Sequence, residues 1–154
     1  MAPPEVWGPA VWFLFHTLAE KVSEPEFNKV YLSLFNMIKF ISKNLPCPQC
    51  SADATSFLAK INITTISSKK DLKDMLFVFH NYVNKKKRKP PLPFQDLDGL
   101  YKKKDLSKVI INFLNKYNTK GNMQLLNESF HRKLIMTEFT KWIKKYSIFF
   151  NWGG

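Results

Sequence analysis

The sequence predicts an all-α fold: a four-helix bundle, a short fifth helix and a helical C-terminal extension. Three observations predict it. Apolar side chains recur every three or four residues through most of the chain. Glycine is scarce, 5 in 154 residues, and several of the 9 prolines cluster where the periodicity breaks. No βαβ pattern surrounds the cysteines, which disfavours a thioredoxin-like fold.

The elements follow in order. Residues 8–22 carry apolar side chains at helical spacing and, beyond Gly8-Pro9 at their start, hold no Gly or Pro. Ser23 to Pro25 breaks that pattern, and Pro25 suits the first turn of a second helix. The second helix spans about 26–43, with Val30, Leu34, Met37, Ile38 and Ile41 on one face, and Leu45-Pro46 ends it. A third begins near Cys47 or Pro48 and fades by Lys60. Residues 61–68 are rich in Thr and β-branched side chains and read as a short extended loop. Ser68 caps a fourth helix over 69–87, which Pro90-Pro91-Leu92-Pro93 stops. A short turn over 95–102 follows, then helices over 105–118 and 123–149 joined at Thr119-Lys120-Gly121-Asn122.

Length fits one domain with a little to spare, divided as 1–104 and 105–154. The hydrophobic fraction of 45% supports a packed core, and 14 Phe suit large-ring packing or a flat cofactor. The net charge of +12 predicts an anionic partner: a phosphate-bearing cofactor, nucleic acid, an acidic protein or a membrane surface. Met1-Ala2-Pro3-Pro4-Glu5 has no basic region followed by an apolar run, so no signal peptide is expected. No stretch is apolar enough for a membrane span. In a reducing compartment a disulfide is more often catalytic than structural.

Cys47-Pro48-Gln49-Cys50 holds the only two cysteines, so all thiol chemistry falls to this pair. Cysteines three apart on a helix share a face and can close a disulfide with little backbone movement. Pro48 suits a first helical turn, and a helix N-terminus favours thiolate. A half zinc site or an inert buried pair are the bland alternatives. A closed zinc site needs four ligands, and the 3 histidines show no matching spacing, so no metal is expected.

Two further stripes carry polar residues on apolar faces. Gly8, Trp12 and His16 are spaced i, i+4, i+8: Gly clears room, Trp offers a stacking face, His a polar edge. Alone, such a stripe is usually core. His80, Val83, Asn84 and Lys87 share another face, where buried Asn and His need partners. A capped or water-satisfied pair is the bland reading. Lys85-Lys86-Lys87-Arg88-Lys89 suits a helix C-terminus electrostatically and also fits a nuclear-import or nucleic-acid patch.

Taken together, W-G-x-x-x-W-x-x-x-H over Trp7–His16, the C-x-x-C pair and H-N-x-V-N over His80–Asn84 resemble the Erv/ALR family of FAD-linked sulfhydryl oxidases. The resemblance covers roughly residues 6–101. It implies an FAD-binding four-helix bundle, a thiol-containing protein or dithiol carrier as substrate, molecular oxygen as electron acceptor, and a homodimer. It implies that Cys47 is attacked by the substrate thiol and that Cys50 lies against the flavin. The cofactor residues it implies are Gly8, Trp12, His16, Cys50, His80, Asn81, Val83, Asn84, Lys87, Lys89 and Tyr101, with the lysines toward the pyrophosphate. Nucleic acid is then not an expected partner. The chain lacks the second, shuttle cysteine pair usual in cellular members. That pattern resembles the short enzymes of large DNA viruses, which implies host cytoplasm, viral factories and the virion. The Lys-, Asn- and Ile-rich composition agrees. Pro9 stands where many relatives place a basic or small residue.

Residues 105–154 have no counterpart in this resemblance. Their apolar faces (Val109, Ile110, Phe113, Leu114; Leu134, Ile135, Phe139, Trp142, Ile143) require cover from a dimer partner, the bundle or a cargo protein. His131 reads as an ordinary surface residue. The competing function is a non-enzymatic basic helical adaptor for nucleic acid or an acidic protein. An adaptor has no need of the His80/Asn84 stripe.

Overall fold

The computed structural model describes residues 4–93, 96–118 and 126–153, without the side chains of 96–98 and 126–130. Its helices are α1 (Pro4–Lys21), α2 (Phe27–Lys43), α3 (Pro48–Ala59), α4 (Lys69–Lys86), α5 (Asp96–Tyr101), α6 (Leu106–Tyr117) and α7 (Leu126–Lys145). Among the described residues no strand forms; one antiparallel bridge joins Val22 to Phe150. The fold is all-α, as expected.

The boundaries show local chemistry at work. α1 starts at Pro4, ahead of the expected residue 8, and runs through Pro9. Pro9 lacks the N–H that would reach the Glu5 carbonyl, but Glu5 and Val6 are exposed, so water can satisfy that group. Pro25 lies in the turn before α2 rather than in its first turn. Cys47 is the N-cap of α3 with Pro48 inside its first turn. Residues 63–65 form a 3₁₀ turn within the segment expected to be extended, because Asn62 caps it by accepting from Thr64 N. Ser68 caps α4 as expected: its Oγ accepts from Asp71 N at 3.1 Å. α7 stops at Lys145, short of residue 149, and a 3₁₀ turn over Ser147–Phe149 carries the chain back toward α1. The expected joint over 119–122 and the first residues of the last helix lie outside the described residues, as does Gln95.

One hydrophobic core runs through α1, α2, α3, α4, α6 and α7. α6 lies along α1 and buries Leu106, Val109, Ile110 and Phe113. From α7, Ile135, Phe139 and Ile143 enter the same core, and Trp142 Nε1 donates to Ser33 Oγ at 2.8 Å. Burying a large apolar side chain contributes roughly 1.5–3 kcal/mol. The extension's apolar faces are therefore covered by the chain itself. Leu134 is the exception, 51% exposed on the outer side of α7.

Lys21, at the end of α1, is buried, and its Nζ donates to the carbonyls of Lys102 (2.8 Å) and Gly153 (2.7 Å). Beside it, Asn151 N donates to Lys21 O and Ser23 N to Phe149 O.

Candidate active site

Cys47 and Cys50 form a disulfide with their Cα atoms 5.2 Å apart. Cys47 is partly exposed at the helix mouth, and its sulfur accepts from Cys50 N at 3.2 Å. Cys50, one turn further in, lines a narrow cavity of about 40 Å³ with Trp7, Gly8, Val11, Trp12, Phe15, Ser42, Phe79, Val83 and Lys87. A second cleft of about 270 Å³ shares Gly8, Trp12, Val83 and Lys87 with it. This outer cleft adds His80, Asn84, Lys89 and Tyr101. The two stripes seen in the sequence thus face each other across one site, with Cys50 at its inner end.

The wall is aromatic. The Trp12 and His80 rings stack at 4.0 Å, and His16 stacks on Tyr101 at 4.5 Å. His16 Nε2 and His80 Nδ1 are 2.9 Å apart, so one ring donates to the other. Burial, then the neighbouring His80, lowers the His16 pKa to about 3. Burial, then the charge of Lys89, lowers that of His80 to about 4. Both rings are neutral near pH 7, so one nitrogen of the pair carries the shared proton and the other accepts it. A Cβ added at Gly8 would meet nothing within 4 Å, so the open space of the cleft begins at this backbone.

The cations arrive through the end of α4. Arg88 N donates to Lys85 O and Lys89 N to Asn84 O, the paired bonds of a Schellman turn. Arg88 holds the left-handed position of that turn with φ 57°, a conformation glycine adopts more easily. The turn leaves Lys87 and Lys89 on the cleft lining. Lys87 Nζ lies 5.9 Å from the centroid of the Trp7 ring, and its pKa is lowered by burial first and by Lys89 second.

Two polar atoms at the inner cavity are buried without a hydrogen-bond partner: Trp7 Nε1 and Ser42 Oγ. Such groups are rare in proteins, because an unpaired buried donor costs about 1–3 kcal/mol. They lie beside Cys50, where a bound molecule with ring donors and acceptors would satisfy them.

The Erv1/Alr family model matches residues 9–105. The chain belongs to the Erv1/Alr family. It is similar to an FAD-linked sulfhydryl oxidase of African swine fever virus, 31% identical over 104 residues, 67% of this chain and 86% of the relative. A protein of Invertebrate iridescent virus 3 is 30% identical over 90 residues, 58% of this chain and 61% of its own length. An FAD-linked sulfhydryl oxidase of Oryza sativa subsp. japonica is 28% identical over 98 residues, 64% of this chain and 50% of the relative. No solved structure matches the chain. The Erv1/Alr match ends where α6 begins, so the extension lies outside it.

Not every residue of the Erv1/Alr motifs reaches the cleft. Asn81 is turned to the chain: Leu92 N donates to its Oδ1 at 2.6 Å, and its Nδ2 donates to Leu92 O at 3.3 Å. That amide fixes the proline segment after α4. His16 sits behind His80 and orients it. Trp7 and Ser42 were missed as site residues. Ser42 had a legible signal: it is the polar residue four places after Ile38 on the buried face of α2.

Proposed function

We propose that this member of the Erv1/Alr family is an FAD-dependent sulfhydryl oxidase that forms disulfides in thiol-containing proteins. The observation that carries the reading is the redox pair ending inside a cleft whose innermost polar atoms, on Trp7 and Ser42, have no partner. The residues present fit a flavin: stacked flat side chains, two orphaned polar groups beside Cys50, and Lys87 and Lys89 on the lining. Gly8, Trp12, His80, Val83, Asn84 and Tyr101 would line the cofactor, with His16 buttressing His80. Lys87 and Lys89 would meet its phosphates.

Cys47 is the outer cysteine in this reading. A substrate thiolate attacks its sulfur, the Cys47–Cys50 bond breaks, and the electron pair passes to Cys50. A second substrate thiolate attacks the mixed disulfide at the substrate sulfur and releases Cys47. When bound, FAD supplies a two-electron acceptor for the resulting dithiol and a route to molecular oxygen, so two thiols and oxygen become a disulfide and hydrogen peroxide.

No described helix is long and apolar enough to cross a membrane. We place the enzyme in the host cytoplasm, at viral factories and in the virion, acting on virion proteins; the similarity to viral oxidases supports this. A homodimer follows from the family resemblance. It requires a surface other than the apolar faces of α6 and α7 that the chain itself buries. The test is spectroscopic and kinetic. The purified protein should hold a yellow chromophore absorbing near about 450 nm through gel filtration, as a pocketed cofactor does, and should consume oxygen with a dithiol. Cys47→Ser and Cys50→Ser should each abolish turnover with the flavin retained. A colourless protein that takes up no FAD on refolding rules the reading out.

A further inference from the structure

The segment joining α2 to the redox pair is gripped by the extension. Asn44 is the C-cap of α2, three residues before Cys47. Tyr117, at the end of α6 and fully buried, donates its hydroxyl to the Asn44 carbonyl. That carbonyl belongs to the last turn of a helix, where no partner exists within the helix itself. His131, on α7, lies with Nε2 2.7 Å from Asn44 Oδ1. Asn44 Nδ2 donates to Phe40 O at 2.7 Å, which fixes the amide orientation and makes His131 Nε2 the donor. Asn44 is therefore held at its backbone by α6 and at its side chain by α7.

The hold continues to the cysteines. Leu45 N donates to Ser51 Oγ at 2.9 Å, Pro46 is buried, and Ser51 N donates to Cys47 O at 3.0 Å. Residues 44–47 are thus fastened at one end by the extension and at the other by α3. Neither Tyr117 nor His131 lies within the family match, which ends at residue 105. We infer that Tyr117 and His131 are positioning residues for the redox pair, acting through Asn44 to keep Cys47 over Cys50. The inference builds on the oxidase reading for its purpose, but its geometry and its test do not depend on flavin turnover.

A held segment presents the two sulfurs to each other at a higher effective concentration, so the disulfide closes more readily. The experiment uses the full chain equilibrated with reduced and oxidised glutathione. The fraction of Cys47–Cys50 disulfide is read by maleimide labelling after acid quench. Tyr117→Phe and His131→Ala should each shift the thiol–disulfide equilibrium toward the dithiol by about fivefold, the ratio corresponding to one neutral hydrogen bond. His131→Gln, which keeps a donor within reach of Asn44 Oδ1, should restore most of that shift. Lys108→Ala, exposed on α6, should leave the equilibrium unmoved. If Tyr117→Phe and His131→Ala lower the melting temperature but leave the equilibrium at its original value, the contacts serve the fold alone and the inference fails. It fails as well if Gln restores nothing. A chain that binds no FAD and consumes no oxygen would sink the oxidase reading by separate measurements, while this equilibrium stays readable.

Discussion

α1 has two sides with opposite characters. Toward α6 it is closely packed: Leu14 and Leu18 are wholly buried in the core that Leu106 and Phe113 share, and the one unpartnered polar atom among the described buried residues of α1 outside the cleft is Thr17 Oγ1. Toward α4 it carries Gly8, Trp12 and His16, open space, a neutral histidine pair and, at the inner end, a Trp7 nitrogen without a partner. Apolar packing dominates the first side. The second is under-satisfied as it stands, and a protein tolerates such groups chiefly where binding repairs them. The difference separates residues that hold the molecule together from residues that wait for a ligand.

Phe113→Ala breaks the packed side hardest. Phe113 is fully buried against Tyr117 and Phe139, and its truncation should cost about 3–5 kcal/mol by chemical denaturation. A loss under about 1 kcal/mol would show that the extension is a loose addition to the bundle.

The histidine pair sharpens the cleft side through pH. Both folded pKa values, about 3 and about 4, lie below the ordinary 6.5. As pH falls below 6.5, the unfolded chain takes up protons that the folded rings refuse, so stability drops until His80 titrates near pH 4 and His16 near pH 3. Between pH 7.5 and 5.5 the drop from this source should be about 2–3 kcal/mol, roughly half from each ring, and His16→Asn with His80→Asn should flatten it. A double variant with the same pH profile as the parent would place the acid sensitivity elsewhere.

The smallest effect tests the orphaned groups. Ser42→Ala removes an unpaired hydroxyl, so the flavin-free protein should change by less than about 1 kcal/mol, in the stabilising direction. The flavin-loaded protein should lose stability instead, because binding energy adds to folding free energy. The same sign in both forms would mean that Ser42 does not meet the cofactor.

The helices were legible because their signal is periodic and local. Ser68, Pro48 and the proline run behave as their chemistry dictates. α1 extended further than expected because a proline near an exposed helix start loses only a bond that water replaces. The facing stripes were legible as stripes, but their meeting across a cleft needed the fold. Asn81 lay inside a motif and was assigned to the cofactor, yet spacing alone could not reveal that Leu92 takes its amide. Trp7 stood in the motif and Ser42 on the buried face of α2, but that their polar atoms lack partners is a property of surroundings, not of sequence. For the extension, the pattern told that its faces are apolar and could not tell that the chain itself covers them, α6 along α1 and α7 within the common core. His131, read as a surface residue, is exposed and nonetheless bonded to Asn44.

The buried ammonium of Lys21 has a consequence for the order of assembly. It ties residues near the beginning of the chain to Gly153, and the neighbouring backbone bonds link residues 21–23 to 149–151. Contacts of such sequence separation form late, since closing a loop of that length must precede any gain from it. α1 therefore emerges from the ribosome well before the segments that finish its surroundings. Its apolar side stays open until α6 and α7 have been made, and the redox segment meets His131, 87 residues after Asn44, only once α7 has followed it.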